Sequence, residues 1–218
     1  MRQKGVRRLK VLFIGNSFTA RNDLPRLVER LAEAAGQRLE HRLMSIGGAS
    51  LRTHWNKGEA AKAIDAGDFH AVVLQEQSTL PIKNAKRMQE NVRLFDERIR
   101  TANARTVLYM TWARRHSAET QEAIANAYTA IAAETGAAVI PAGVAWRKYI
   151  SEHALPVLHD RDGSHPTLAG SYLAACTAYG TLFRSSPAAL ADDVEGLTRE
   201  EKAMLQAAAA AAVLEQQA

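Results

Sequence analysis

Three residues in this sequence have the types that acyl transfer requires: a serine at 17, an aspartate at 162 and a histidine at 165. Ser17 lies in VLFIGNSFTA, where an apolar run breaks into a glycine and small polar residues, so its hydroxyl would stand at the exposed end of a strand. Gly15 would let the backbone turn tightly there, and amides released at the turn could donate to an anion. Asp162 and His165, in DGSHP, are three residues apart. On a turn, that spacing lets the carboxylate accept the imidazole Nδ1 proton and fix the tautomer that leaves Nε2 as a base. Each fragment alone has a plainer reading: a turn of small residues around Ser17, and a helix-capping turn with a surface histidine around Asp162. Together they supply a nucleophile, a base and the group that orients the base.

A nucleophile near one end of the chain and a base near the other must be brought together by the elements between them. RLKVLFIG (8–15), HRLMSIGG (41–48), HAVVLQEQ (70–77), RTVLYMTW (105–112) and AAVIPAG (137–143) have the apolar content of buried strands. LPRLVERLAEAAG (24–36), NAKRMQENVRLFDERIRTAN (84–103) and SAETQEAIANAYTAIAAETG (117–136) have helical periodicity, two of them closing on glycine. Pro166 suits the first position of a further helix in HPTLAGSYLAA, and Thr198 with Glu201 forms a capping box for an Ala-rich helix at about 197–217. Alternation of strands and helices predicts a three-layer α/β/α sandwich with a five-stranded, mostly parallel sheet, flavodoxin-like, as a single domain over 1–218. Ligands of such sheets bind outside the carboxyl ends of the strands, where GNSFT, SIGGAS, QEQST and TWARR fall.

Composition narrows the classes of function. The chain has 218 residues, 47% hydrophobic, enough for one sizeable core. Its net charge of +5 comes from scattered arginines, with MRQKGVRRLK the only local cluster, so no nucleic-acid partner is expected. The single cysteine, Cys176, excludes an internal disulfide and a multi-thiolate zinc site and reads as a core thiol. No H-E-x-x-H or similar ligand spacing occurs, and no metal or cofactor is expected. No apolar run approaches the roughly 20 residues of a membrane helix, and VLFIG is short for a secretory signal. The expectation is a cytoplasmic protein without a membrane partner, unless an export leader lies outside this sequence. Nothing in the sequence fixes an oligomeric state.

The combination of IGNSFT near the start and DGSHP near the end resembles the SGNH or GDSL-like serine hydrolases, with the likeness spanning residues 10 to 175. The resemblance implies a triad of Ser17, Asp162 and His165. It also implies that IGGAS matches the family's glycine block, so that Gly47 or Gly48 joins the Ser17 amide in an oxyanion hole. Two departures stand out. Asn16 replaces the aspartate before the serine, and QEQST replaces a Gly-x-Asn-Asp block whose asparagine donates to the oxyanion. Gln77 is the favoured substitute donor, with Thr79 in reserve, because Gln75 still belongs to the strand. Asn16, His54 and Trp112 are expected to touch substrate. Trp55 and Asn56 are as readily a helix start as a cleft wall, and Arg114 and Arg115 as readily solvated as anion-binding. His159 and Asp160 form a second His/Asp pair near the site. The expected activity is hydrolysis of a small-molecule carboxylic ester through an acyl-enzyme, with acetyl on a carbohydrate the preferred acyl group. The alternative is a non-catalytic carbohydrate- or ligand-binding module on the same scaffold.

Overall fold

The structure is a computed structural model that describes residues 6–217; the first five residues of the basic N-terminal cluster lie outside it. Five strands, β1 (Arg8–Gly15), β2 (Arg38–Ser45), β3 (Ala71–Leu74), β4 (Arg105–Tyr109) and β5 (Ala138–Ile140), form one sheet. Its order is β2-β1-β3-β4-β5 and every pairing is parallel. Among the described residues ten α-helices connect and cover it: α1 (Ser17–Ala20), α2 (Leu24–Ala34), α3 (Leu51–Lys57), α4 (Glu59–Ala66), α5 (Leu80–Lys83), α6 (Ala85–Thr101), α7 (Gln121–Thr135), α8 (Ala142–Glu152), α9 (Leu168–Phe183) and α10 (Arg199–Gln217).

The alternation of side chains along β1 separates the two apolar layers. Leu9, Val11 and Phe13 pack against α2, α8, α9 and α10, whereas Leu12 and Ile14 pack against α3, α4, α6 and α7. A strand buried on both faces reads as a continuous apolar run, which is why VLFIG shows no polar alternation. The expected three-layer α/β/α sandwich is therefore present, with a sheet that is parallel throughout. Cys176 is buried in α9, and burial pushes its thiol pKa up. The capping box of α10 is formed in both directions: the Glu201 amide donates to Thr198 Oγ1 at 3.1 Å, and the Thr198 amide donates to Glu201 Oε2 at 2.7 Å. Among the described residues no helix is long and apolar enough to cross a membrane.

Element boundaries depart from the sequence reading in physically traceable ways. The second strand begins at Arg38 rather than His41, because pairing with β1 starts at Arg8↔Arg38 and does not depend on apolar side chains at this edge. The third stops at Leu74, where its pairing to β1 and β4 ends, so QEQ lies in the loop. Beside the single turns α1 and α5, the helices α4 and α8 were not expected, and α3 is the helix that was one of two readings at Trp55 and Asn56. Helices α3 and α4 are short, with only five buried side chains between them, and α8 starts directly after Pro141 at the end of a three-residue strand.

Candidate active site

The site lies at the carboxyl edge of the sheet, where the order reverses between β1 and β3 and the loops on either side diverge. Gly15 ends β1. A Cβ there would come within 2.5 Å of Thr19 Oγ1 and 2.6 Å of Gln75 Oε1, so glycine is required by close approach rather than by a left-handed turn. Asn16 then caps α1, its Oδ1 accepting the Phe18 amide at 3.1 Å, and Ser17 follows as the first helical residue.

Ser17 Oγ lies 2.8 Å from His165 Nε2, and His165 Nδ1 lies 2.5 Å from Asp162 Oδ2. The remaining Asp162 oxygen accepts the amides of Ser164 and His165, each at 2.9 Å. The His165 imidazole, with these two amides, holds the Asp162 carboxyl well below the usual carboxylate range. Asp162 is thus fixed as an anion that orients the imidazole. The turn closes through Gly163 in the left-handed region, φ 66°, whose amide donates to Asp160 O.

Side chains from several elements fasten the two halves of this arrangement. Asn22 Nδ2 donates to Thr167 O at 3.1 Å and Ser171 Oγ at 2.8 Å, joining the serine segment to the start of α9. Arg21 pairs with Asp160 at 2.7 Å. Arg115 is exposed, and it also donates from Nη2 to His159 O and Asp160 O while its amide donates to Gly163 O. His159 donates from Nε2 to Ala113 O and pairs across a β-bridge with Pro166. The second His/Asp pair is therefore a brace for the loop carrying Asp162 and His165.

Three residues expected at the substrate surface are committed elsewhere. Asn16 is 2% exposed and His54 3%. Asn16 Nδ2 donates to Ala49 O at 2.9 Å, and His54 Nε2 donates to Gly15 O at 2.7 Å. Burial lowers the His54 pKa, so the ring stays neutral as a donor to that carbonyl. Both are buried and hold the turns around Ser17 through these bonds. Trp112 stacks on Trp146 at 3.7 Å, and its indole N–H donates to Ser164 O at 3.0 Å. Its edge lines a neighbouring cavity of about 490 Å³ with Ile150, Val157 and His159, and neither Ser17 nor His165 belongs to that wall. Trp55 packs edge-on against Phe95 of α6 at 5.2 Å.

On the other side of Ser17, the amides of Ser17, Gly47 and Gly48 have no hydrogen-bond partner among the described residues. Gly48 takes a left-handed φ of 67°, and both glycines are exposed. Gln75 is buried and spent: Oε1 accepts Asn16 N at 2.8 Å and Thr19 Oγ1 at 2.9 Å, and Nε2 donates to Glu76 O. Thr79 donates both its amide and its hydroxyl to Gln77 Oε1, at 2.9 and 3.0 Å. That removes Thr79 from the reserve, since its one hydroxyl proton is used, and leaves Gln77 Nε2 as the side-chain donor of the pair.

Sequence reasoning passed over Glu76, Asn91 and Arg52. Glu76 is 1% exposed, and its Oε1 accepts the amides of Leu51 at 3.0 Å and Gln77 at 2.7 Å. Its Oε2 accepts Asn91 Nδ2 at 2.8 Å, and Asn91 Oδ1 accepts Arg52 Nε at 2.9 Å. Burial raises the Glu76 pKa, against the opposing pull of the Asn91 side chain, the two amides and the Arg52 charge. A charged residue placed two positions after an apolar strand was the only signal in the sequence. Among the described residues no group of three or more His, Cys, Asp or Glu side chains could hold a metal ion.

No family model matches the chain, and no curated protein matches it in sequence. Solved structures do. A DUF4886 family protein from Bacteroides uniformis is 23% identical, with TM-score 0.79 over 95% of each chain. A candidate SGNH hydrolase from Slackia heliotrinireducens is 28% identical, with TM-score 0.68 over 80% of this chain and 99% of that one. An acetyl xylan esterase is 18% identical, with TM-score 0.64 over 79% of this chain and 98% of that one. The parallel five-stranded sheet, covered on both faces and aligned over most of its length with these proteins, is the SGNH/GDSL-like hydrolase fold.

Proposed function

We propose that the protein is a serine hydrolase of carboxylic esters. The observation that carries this reading is the unbroken line of contacts from Ser17 Oγ through the His165 ring to Asp162. His165 Nε2 takes the hydroxyl proton as Ser17 Oγ bonds to the ester carbonyl carbon, and the carbonyl electrons move onto oxygen. The amides of Ser17 and of Gly47 or Gly48, with Gln77 Nε2, donate to that oxyanion. Collapse of the tetrahedral intermediate breaks the bond to the alcohol oxygen, which leaves with the proton from His165. Water then attacks the acyl-enzyme by the same route, giving the carboxylic acid and free Ser17. No step requires a cofactor.

The finer part of the proposal is a small acyl group, acetyl on a carbohydrate in particular. Its support is the fold shared with an acetyl xylan esterase, together with the exposed, open glycine loop beside Ser17. A panel of short- and long-chain p-nitrophenyl esters beside acetylated sugars tests it. Turnover of acetyl esters that falls with chain length is the expected result, and strong preference for long chains would reject the acetyl assignment. Absence of turnover on every ester, in protein that is folded, would favour the non-catalytic binding module.

A further inference from the structure

We propose that Glu76 is a positioning residue for the oxyanion donors, one of its carboxylate oxygens holding the glycine loop and the Gln77 turn at a fixed spacing. The inference rests on the ester-hydrolase reading and goes beyond the triad. Leu51 N, which Oε1 accepts, sits two residues after Ala49, whose carbonyl is tied to the nucleophile turn by Asn16. The short loop bearing Gly47 and Gly48 is therefore anchored at its far end to Asn16 and Glu76. The same Oε1 accepts Gln77 N, so the segment carrying the side-chain donor hangs from the same atom.

A carboxylate is an expensive way to fill buried space, because desolvation penalises its charged form. Here both carboxylate oxygens are hydrogen-bonded: two backbone amides donate to Oε1 and Asn91 Nδ2 to Oε2. Asn91 is in turn held by Arg52 Nε, which fixes the amide so that Nδ2 faces Glu76. The polarity of this chain allows a swap test. In Glu76→Gln, either the new amide nitrogen meets Asn91 Nδ2 or Asn91 flips and presents Nδ2 to Arg52, so one donor always faces another. In Glu76→Gln with Asn91→Asp, the glutamine donates to the new carboxylate, Arg52 donates to its other oxygen, and the glutamine Oε1 still accepts both backbone amides.

The experiment measures kcat and KM on p-nitrophenyl acetate for wild type, Glu76→Gln, Asn91→Asp and the double variant, each well below its unfolding temperature. Loss of oxyanion alignment acts on the transition state, so Glu76→Gln is expected to lower kcat by about 10-fold or more with KM within about 2-fold. The double variant is expected to return kcat to within about 3-fold of wild type, a coupling that independent sites would not show. Glu76→Asp, which keeps the charge and withdraws it by one methylene, replaces Glu76→Gln if that protein does not fold, and carries the same expectation for kcat and KM. Full kcat in either folded single variant, a change confined to KM, or a folded double variant that stays slow overturns the role of Glu76 alone. Wild type with no turnover and no fluorophosphonate adduct overturns it together with the hydrolase reading.

Discussion

The two flanks of Ser17 are built by opposite means. On one side, Asp162 and His165 come from four consecutive residues; the His165 side chain reaches the serine directly, and Asp162 reaches it through the His165 ring. On the other, the proposed oxyanion donors are mainly the unpaired backbone amides of Ser17, Gly47 and Gly48, and buried residues behind them hold that loop in place. A reacting side chain can be specified by its own identity and a short spacing. A reacting amide belongs to any residue, so its identity is silent and its placement must be encoded elsewhere. That makes the first flank sensitive to substitution of the residues that react, and the second to substitution of residues behind them.

The largest effect expected is at the residue both flanks share. Ser17→Ala should lower kcat by about 10⁶, the loss seen for a nucleophile acting within a triad. The variant should unfold at the wild-type temperature, since no core side chain is shortened; calorimetry beside the ester assay checks both. Asp162→Asn should follow, with kcat down by about 10⁴, because the amide favours the wrong imidazole tautomer. Added to the Ser17→Ala protein it should cost nothing further, which places the two residues in one unit.

The oxyanion flank should respond less at any single position. Gln77→Ala should lower kcat by about 10² to 10³ with little change in KM, the range for one lost oxyanion donor. Thr79→Val should cost much less, because its hydroxyl only donates to Gln77 Oε1. Equal losses at the two positions would mean that the turn, rather than the Gln77 amide, is what matters.

The smallest effect concerns stability. The folded-state pKa of His54 lies below its ordinary value, so the fold binds its proton less readily than the unfolded chain does. The contribution is fully present above about pH 6.5 and is lost as pH falls from there toward the folded value. His54→Gln keeps a donor for Gly15 O and should flatten that part of the stability curve, measured by urea unfolding from pH 7 to about 5. An unchanged slope would detach His54 from the acid response.

The same contrast explains what could be read from the sequence. VLFIG declares itself because a doubly buried stretch of strand needs apolar residues at every position, and DGSHP because a turn brings its aspartate and histidine together locally. The Glu76–Asn91–Arg52 chain joins three elements far apart in sequence, and no local pattern distinguishes a buried glutamate after a strand from a solvated one. Asn16, His54 and Trp112 misled for the same reason. Polar or aromatic residues next to a site suggest contact with substrate, and only tertiary geometry reveals that Ala49, Gly15 and Ser164 carbonyls already claim their donors.

The triad is tested most directly by labelling the native protein with a fluorophosphonate and mapping the modified peptide by mass spectrometry. A single adduct on Ser17 that disappears in His165→Ala is the expected result. Intact, folded protein without an adduct, or labelling of Ser17 that is unchanged in His165→Ala, would contradict a serine activated by His165.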